Sequence, residues 1–426
     1  MENVSAYYAG LIFIATYIMI IWEKIHRTAV ALAGAMLVLL TGIISEEAAI
    51  HAIEFNTIGL LIGMMVIVSI TRSTGVFEFV AVWIAKKAQA RPARIMLGLS
   101  ILTAITSALL DNVTTVLLVV PVTIEIVRKL KLNPVPFLIA EIITSNIGGT
   151  ATLIGDPPNI MIGGFTGLSF MAFLVNLGPI ALFILILTLG ILWLLYRNQL
   201  NVKEQDRHDL MKLDEWKMIR DSSLLRTSLI VLGLTIAGFT VHGILGLESA
   251  TIALSGAVLL LILSRAEPEH VLEGVEWHVI FFFVGLFILV GALVEVGLIE
   301  AIARAGLALT GGELLSTGLL VLWLSAIASA FVDNIPFVAT MIPLIDEMGR
   351  LANVQDLNPW WWSLALGGCL GGNGSLVGAA ANVIVAGMAE RRGVSISFIA
   401  FLKVGFPIMI LSVFIAMFYL LLFYLQ

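Results

Sequence analysis

The stretch Ser107-Ala108-Leu109-Leu110-Asp111-Asn112-Val113-Thr114-Thr115 decides the fold, because it recurs as Ser329-Ala330-Phe331-Val332-Asp333-Asn334-Ile335-Pro336. Both copies sit in long apolar runs. Ile95–Ile124 carries no charge except Asp111, and Leu314–Ile345 none except Asp333. Arg91 and Arg94 precede the first run, and Arg128 and Lys129 follow it. Lys and Arg mark the cytoplasmic side of a membrane protein. A segment whose two ends want the same side should therefore enter, turn and return. Each run is too short for two crossings at about 20 residues apiece, yet long enough for a re-entrant hairpin with Asp-Asn at its tip.

Working outward, the same register holds over most of the chain. At the offset that carries 111 to 333, Ala31, Gly34, Glu54, Gly63, Gly75 and Glu78 meet Ala253, Gly256, Glu276, Gly285, Gly297 and Glu300. Pro121 and Glu125 meet Pro343 and Glu347. One residue of slip then aligns Gly148-Gly149, Gly155 and Asn159 with Gly371-Gly372, Gly378 and Asn382. Generic apolar similarity would not keep Gly, Asp, Asn and Pro in step, so the chain is an internal repeat.

Composition names the solvent. Of 426 residues 60% are hydrophobic and 12% charged, against about 25% charged in soluble domains. The charge-free gaps are mostly one span long, and the first, between Asn3 and Trp22, has no basic region before it. That gap reads as a retained helix and not a cleaved signal. With the N-terminus outside, all of the 23 basic residues except Arg304 and Arg350 fall in cytoplasmic loops. This assignment places both termini outside a plasma (inner) membrane and the Arg197–Arg226 loop, with one short helix, inside.

The expected fold class is an all-α polytopic membrane protein of two inverted repeats, residues 1–197 and 227–426, joined by a cytoplasmic linker, 198–226. Each repeat holds five transmembrane helices, one of them broken, plus one re-entrant hairpin. Five is odd, so the second copy enters upside down relative to the first. Inverted repeats with broken helices recur in secondary transporters, where they give one central site two access states. The net charge of −6 lies in the loops. A single cysteine, Cys369, leaves no disulfide framework and no multi-thiolate metal site within one chain. No metal, cofactor or nucleic-acid partner is expected; the partners are the lipid bilayer and a small inorganic or ionic substrate.

Four elements carry the chemistry. At the tips, Asp111 and Asn112, with Thr114 and Thr115, and Asp333 and Asn334 can cap the returning helices. A carboxylate in the membrane is also a functional candidate by default, and a capped helix N-terminus offers positive potential to an anion or polar solute. The first predicted break runs Asn146-Ile147-Gly148-Gly149-Thr150-Ala151-Thr152-Leu153-Ile154-Gly155-Asp156-Pro157-Pro158-Asn159. Paired Gly and paired Pro cannot sit comfortably in a helix interior, so the span should unwind and expose carbonyls and hydroxyls. Its counterpart, Gly371 to Asn382, keeps Asn373, Ser375 and Asn382 but has Ala379-Ala380-Ala381 in place of Asp156-Pro157-Pro158. The halves are therefore not chemically equivalent.

At these motifs the chain resembles the ion-transporter superfamily, in the branch that holds the arsenite permease, the NhaD-type sodium/proton antiporter and the melanosomal P protein (ArsB-like, with a citrate-transporter-like domain). The Asp-Asn-Val-Thr-Thr tip and the Asn-Ile-Gly-Gly-Thr-Ala-Thr…Gly-Asp-Pro-Pro-Asn break carry the resemblance, which covers the whole chain. It implies a scaffold, a mobile transport domain moving as an elevator, homodimers in many members, and an accessory ATPase as in arsenite-permease relatives. The divalent-anion symporters of the superfamily use Ser-Asn-Thr tips, and Asp-Asn stands here instead.

Arsenite or antimonite efflux in exchange for protons is the leading expectation. Arsenite at neutral pH is uncharged As(OH)₃, which Asn, Thr, Ser and Asp groups can meet by hydrogen bonding. Asp111, Asp333, Asp156 and Glu141 are the candidate proton carriers, because apolar burial favours their neutral form. Glu141 has Ser363 or Leu364 in the second repeat, and it can serve either as a coupling residue or as the wall of an aqueous vestibule. A sodium/proton antiporter would use the same carboxylates; a carboxylate or other anion transporter would use the helix N-termini. An intramembrane aspartyl protease also needs two membrane Asp residues sharing a proton, but the repeat relates Asp111 to Asp333 as transporter tips.

Overall fold

The computed structural model describes residues 2–22, 24–198, 200 and 202–426, with the backbone alone for residues 2 and 3. Met1 and Glu23 of the first repeat and Gln199 and Asn201 of the expected linker lie outside the described residues. The first half runs α1 (Glu2–Trp22), α2 (Arg27–Leu40), α3 (Glu46–Ala52), α4 (Phe55–Ser73), α5 (Val76–Lys87), α6 (Pro92–Leu109), α7 (Asn112–Lys129), α8 (Val135–Thr150), α9 (Pro157–Thr166) and α10 (Phe170–Tyr196). After α11 (Glu204–Met211) the order returns as α12 (Ser222–Leu245), α13 (Ser249–Ser264), α14 (Pro268–Glu273), α15 (Trp277–Glu295), α16 (Leu298–Thr310), α17 (Leu314–Phe331), α18 (Asn334–Ala352), α19 (Asn358–Gly371), α20 (Ala380–Arg391) and α21 (Phe398–Phe423). Each element of α1–α10 has its counterpart in α12–α21.

Among the described residues, eight helices are long and apolar enough to cross a membrane, α1, α4, α6, α10, α12, α15, α17 and α21. The expected hairpins are α6–α7 and α17–α18, each turning at its Asp. The expected broken spans are α8–α9 and α19–α20. α2 and α13 are apolar but only 14 and 16 residues long, which at about 1.5 Å per residue is shorter than a hydrocarbon core. The linker holds more than one short helix: α11 is followed by a 3-10 turn, Glu215–Met218, and α12 starts already at Ser222. Asp221 starts it by accepting the backbone N–H groups of Ser223 and Leu224, both at 2.9 Å.

Two pairs of helices cross between the halves. At Gly63 of α4 a Cβ would run into the Ala253 backbone of α13, and at Gly285 of α15 into the Ala31 backbone of α2. These four positions are the ones the repeat pairs in sequence, and glycine is needed there because backbone approaches backbone. The core is contiguous across both halves, while α1, α10, α12 and α21 leave long apolar faces outward (Ile14, Ile186, Leu234 and Phe418 are all exposed). Such faces suit a lipid solvent.

Candidate functional site

Two broken helices and two hairpin tips meet at the middle of the chain's buried polar groups. Between α8 and α9 the backbone leaves the helix at Ala151 and resumes at the Pro157-Pro158 pair, where missing N–H groups cost nothing in a first turn. Between α19 and α20 it passes through a 3-10 turn, Gly372–Gly374, and then a turn from Ser375 to Gly378, with Ser375 and Ala379 extended. An asparagine amide ties each break. Asn159 Nδ2 donates to the carbonyls of Thr152 (2.9 Å), Thr150 (3.2 Å) and Gly149 (3.4 Å). Asn382 Nδ2 donates to those of Gly372 (2.7 Å) and Ser375 (2.9 Å).

Each hairpin is stitched to its own break in the same way. Ser107 Oγ donates to the Ser145 carbonyl and Ser329 Oγ to the Gly368 carbonyl, both at 2.7 Å. Thr152 Oγ1 donates to the Ala108 carbonyl and Ser375 Oγ to the Ala330 carbonyl, both at 2.5 Å. Thr150 Oγ1 turns back to the Asn146 carbonyl at 2.8 Å. Thr150, Thr152, Ser375, Asn159, Asn382 and the Gly149 carbonyl, all expected at the binding site, each make hydrogen bonds within or across the breaks.

The halves join through amides. Asn146 Nδ2 donates to Asn373 Oδ1 and Asn382 Oδ1, both at 3.0 Å, and Asn146 Oδ1 accepts from Asn112 Nδ2 at 3.3 Å. On the other side Cys369 Sγ, the repeat's counterpart of Asn146, donates to Asn159 Oδ1 at 3.4 Å. Asn334 Nδ2 donates to Asp156 Oδ1 at 3.3 Å, as Asn112 does to Asn146. All of these residues are buried.

Three buried oxygens at this centre remain unmet, two of them acceptors and one a hydroxyl. Asn112 Oδ1, Asp156 Oδ2 and Thr115 Oγ1 are buried with no partner among the described residues. Asp111 and Asp333 both cap their return helices, through Thr114 N at 2.8 Å and Ile335 N at 3.1 Å. The side chain of Thr114 is half-buried beside the first tip. The bland and functional readings of the tips coexist: the carboxylates cap, and they stand at the site where four helices, α7, α9, α18 and α20, begin.

The two tips differ in one respect that the repeat does not foretell. Arg27, the first residue of α2, makes an ion pair with Asp333 at 2.5 Å, its guanidinium stacked 5.2 Å from the Phe282 ring centroid. Tyr17 Oη of α1 bonds the Pro336 carbonyl and lies 2.7 Å from Thr340 Oγ1. The position equivalent to Arg27 is Ser249, so Asp111 has no such cation. Sequence reasoning missed Arg27 and Tyr17; the only signal was a basic residue placed at the start of an apolar span. Glu141 stands apart from the tips, between α8 and α7, bonded to Thr123 Oγ1 at 2.5 Å.

A cavity of about 820 Å³ lies between α3, α15, α16, α18 and α9. It reaches Met161 and Ala339, each five residues beyond the Asp156 and Asn334 that meet at the centre, and its rim carries Glu54, Glu295, Glu300, Asp346 and Arg350.

Comparison with known proteins agrees with this architecture. The profile of the family described as Citrate transporter matches residues 17–367. An uncharacterized transporter of Mycobacterium bovis is 43% identical over 417 residues, covering 97% of each chain. The P protein of Sus scrofa is 34% identical over 496 residues, covering 97% of this chain and 59% of its own. The crystal structure of the Alcanivorax borkumensis YdaH transporter superposes with a TM-score of 0.58 at 14% identity, over 87% of this chain and 86% of its own. The chain is a membrane transporter protein of the citrate transporter family, within the ion-transporter superfamily.

Proposed function

We propose that this chain is a secondary active transporter that exchanges protons for a small hydrogen-bond-donating solute, with arsenite as As(OH)₃ the first candidate. The observation that carries the reading is the pair of unmet acceptors, Asn112 Oδ1 and Asp156 Oδ2. A buried acceptor left alone costs about 1–3 kcal/mol, so the site calls for hydroxyl donors or a cation. A bare carboxylate would add acceptors to acceptors. The cation at the tips, Arg27, is already engaged by Asp333. A sodium/proton antiporter is the second reading, since Na⁺ would satisfy the same oxygens.

The element order supports inverted repeats moving as an elevator in the plasma membrane. The hairpins and breaks are stitched into one body, while α2, α4, α13 and α15 cross as another. Contacts between the two bodies include Arg27–Asp333 and Tyr17–Thr340. By the placement of basic residues, the acidic cavity opens on the extracytoplasmic side.

The test is uptake into everted membrane vesicles with and without an imposed proton gradient, offering arsenite, Na⁺ and citrate in parallel. Saturable, gradient-driven arsenite uptake that is lost in Asp156→Asn and Asp111→Asn is the expected result. Uptake of Na⁺ in place of arsenite moves the reading to the antiporter, and uptake of citrate alone overturns it.

A further inference from the structure

Among the described residues of the helical core, Glu141 is a buried carboxyl that neither caps a helix nor touches the other half, and unlike the buried Asp206 of the linker, which pairs with Lys131, it has no cation. It is 1% exposed. Thr123 Oγ1 donates to Oε1 at 2.5 Å, and Oε2 is buried with no partner among the described residues. Around its helix, α8, pack α6, α7, α10, α19, α20, α21 and the 3-10 turn Gly372–Gly374. Their titratable and charged side chains are Arg94 on α6, Glu125, Arg128 and Lys129 on α7, and Tyr196 on α10. Cys369 on α19, Glu390 and Arg391 on α20, and Lys403 and Tyr419 on α21 complete the set. Every charged one of these is exposed, Arg392 just beyond α20 is half-buried and donates to the Pro121 carbonyl at 3.1 Å, and none bonds or pairs with Glu141.

An ionised carboxylate enclosed in apolar surroundings with one hydroxyl donor and no cation is far costlier than the neutral acid. We infer that Glu141 is a dedicated proton-binding site, separate from the solute site, that holds one proton in this conformation and is the coupling residue of transport. This rests on the proton-exchange reading above and adds the site of the exchanged proton. The chemistry is a single O–H bond: the neutral carboxyl gives its proton to water when the α7–α8 interface opens, and takes one from water before it closes.

Position supports the role. Glu141 lies six residues, roughly 9 Å, into α8 from its first residue, Val135, which follows the turn at Lys131–Asn133, and five residues, roughly 7.5 Å, before Asn146. A short opening at the base of the first hairpin would wet it, while α8 carries the change directly to the amide cluster. In the register that pairs Asn146 with Cys369 the second repeat has Leu364 here, with Ser363 beside it bonded to its own helix through the Pro359 carbonyl at 2.8 Å, so the carboxyl exists once per chain. Thr123 is a positioning residue, since its hydroxyl fixes one carboxyl oxygen and leaves the other for the proton.

The deciding experiment is infrared difference spectroscopy of the full chain reconstituted in lipid, titrated through neutral pH. The wild type should show the C=O stretch of a protonated, desolvated carboxyl. The band should be absent in Glu141→Gln, an isosteric change that keeps the Thr123 bond, and present in Asp111→Asn and Asp156→Asn. Thr123→Val should move it to higher frequency, because the carbonyl loses its donor. In vesicles, Glu141→Gln should keep solute counterflow but lose gradient-driven accumulation and its pH dependence. A band that survives Glu141→Gln overturns the site, and gradient-driven uptake unchanged in that variant overturns the coupling role. Failure of arsenite uptake in the wild type would count against the solute alone, because the spectroscopic readout needs no substrate.

Discussion

Asn159 and Asn382 show what a single buried amide does in a broken helix. Each break strips several carbonyls of helical partners inside apolar surroundings, where water cannot serve them. Asn159 meets three of these carbonyls and Asn382 two. Asn159→Ala should lower stability by about 1–3 kcal/mol for each group left unmet, and Asn382→Ala should follow in the same direction. Thermal unfolding in detergent reads both; an unshifted midpoint would show that the breaks are held by something else. Both asparagines were legible in the sequence as break residues, but as ligands of a solute. Their amides turned out to face their own backbone, which only the path of the unwound chain could decide. Asp156 is the converse case: its counterpart is Ala379, and its free oxygen is visible only once Asn334 has taken the other.

At the scale of elements, the second hairpin is tethered to α1 and α2 and the first is not. Arg27→Gln should release Asp333 and loosen the tip without unfolding either hairpin arm, whose packing does not involve the pair. With Cys369 replaced by Ser, a cysteine at Ala339 on the cavity wall should react faster with a membrane-impermeant maleimide in Arg27→Gln than in its parent. Tyr17→Phe should act in the same direction, and equal rates in all three would exclude a tether. The linker is strapped in a comparable way. Asp206 pairs with Lys131 at the base of the first hairpin at 2.7 Å, Glu215 pairs with Lys86, and Trp216 lies 4.8 Å, centroid to centroid, from Phe79. The Lys86 ammonium holds the Glu215 carboxyl below its ordinary value of 4.5, and the Asp206 carboxylate holds the Lys131 ammonium above 10.5. A depressed carboxyl stabilises above its unfolded value and is lost as pH falls through the folded one; a raised ammonium stabilises below its unfolded value and is lost as pH rises through the folded one. Protease nicking of the Arg197–Arg226 loop should therefore be slow at neutral pH and quicken once the pH falls below the ordinary value of Glu215. Glu215→Gln should remove that acid limb.

Over the whole molecule, the repeat is carried by paired close contacts as well as by element order. Gly63→Val and Gly285→Val should each overpack a helix crossing, at about 1–3 kcal/mol, and reduce the monodisperse fraction in size-exclusion chromatography. Gly190→Val, where a Cβ meets open space, should leave it unchanged. The sequence by itself determined the membrane class, the repeat, the two hairpins, the two breaks and the inequality between them. These follow from local rules: charge is excluded from apolar spans, Gly and Pro interrupt helices, and an Asp in lipid must be accounted for. Tertiary structure alone decided which polar atoms are bonded and which remain open. Thr152, Ser375 and the two locking asparagines look like ligands along the chain, and make hydrogen bonds within or across the breaks when the unwound segments press against Ser107, Ala108, Ser329 and Ala330. Arg27 and Asp333 lie 306 residues apart, and no periodicity relates them. A hydrogen bond or ion pair depends on distance in space, and that is fixed only when the helices have packed.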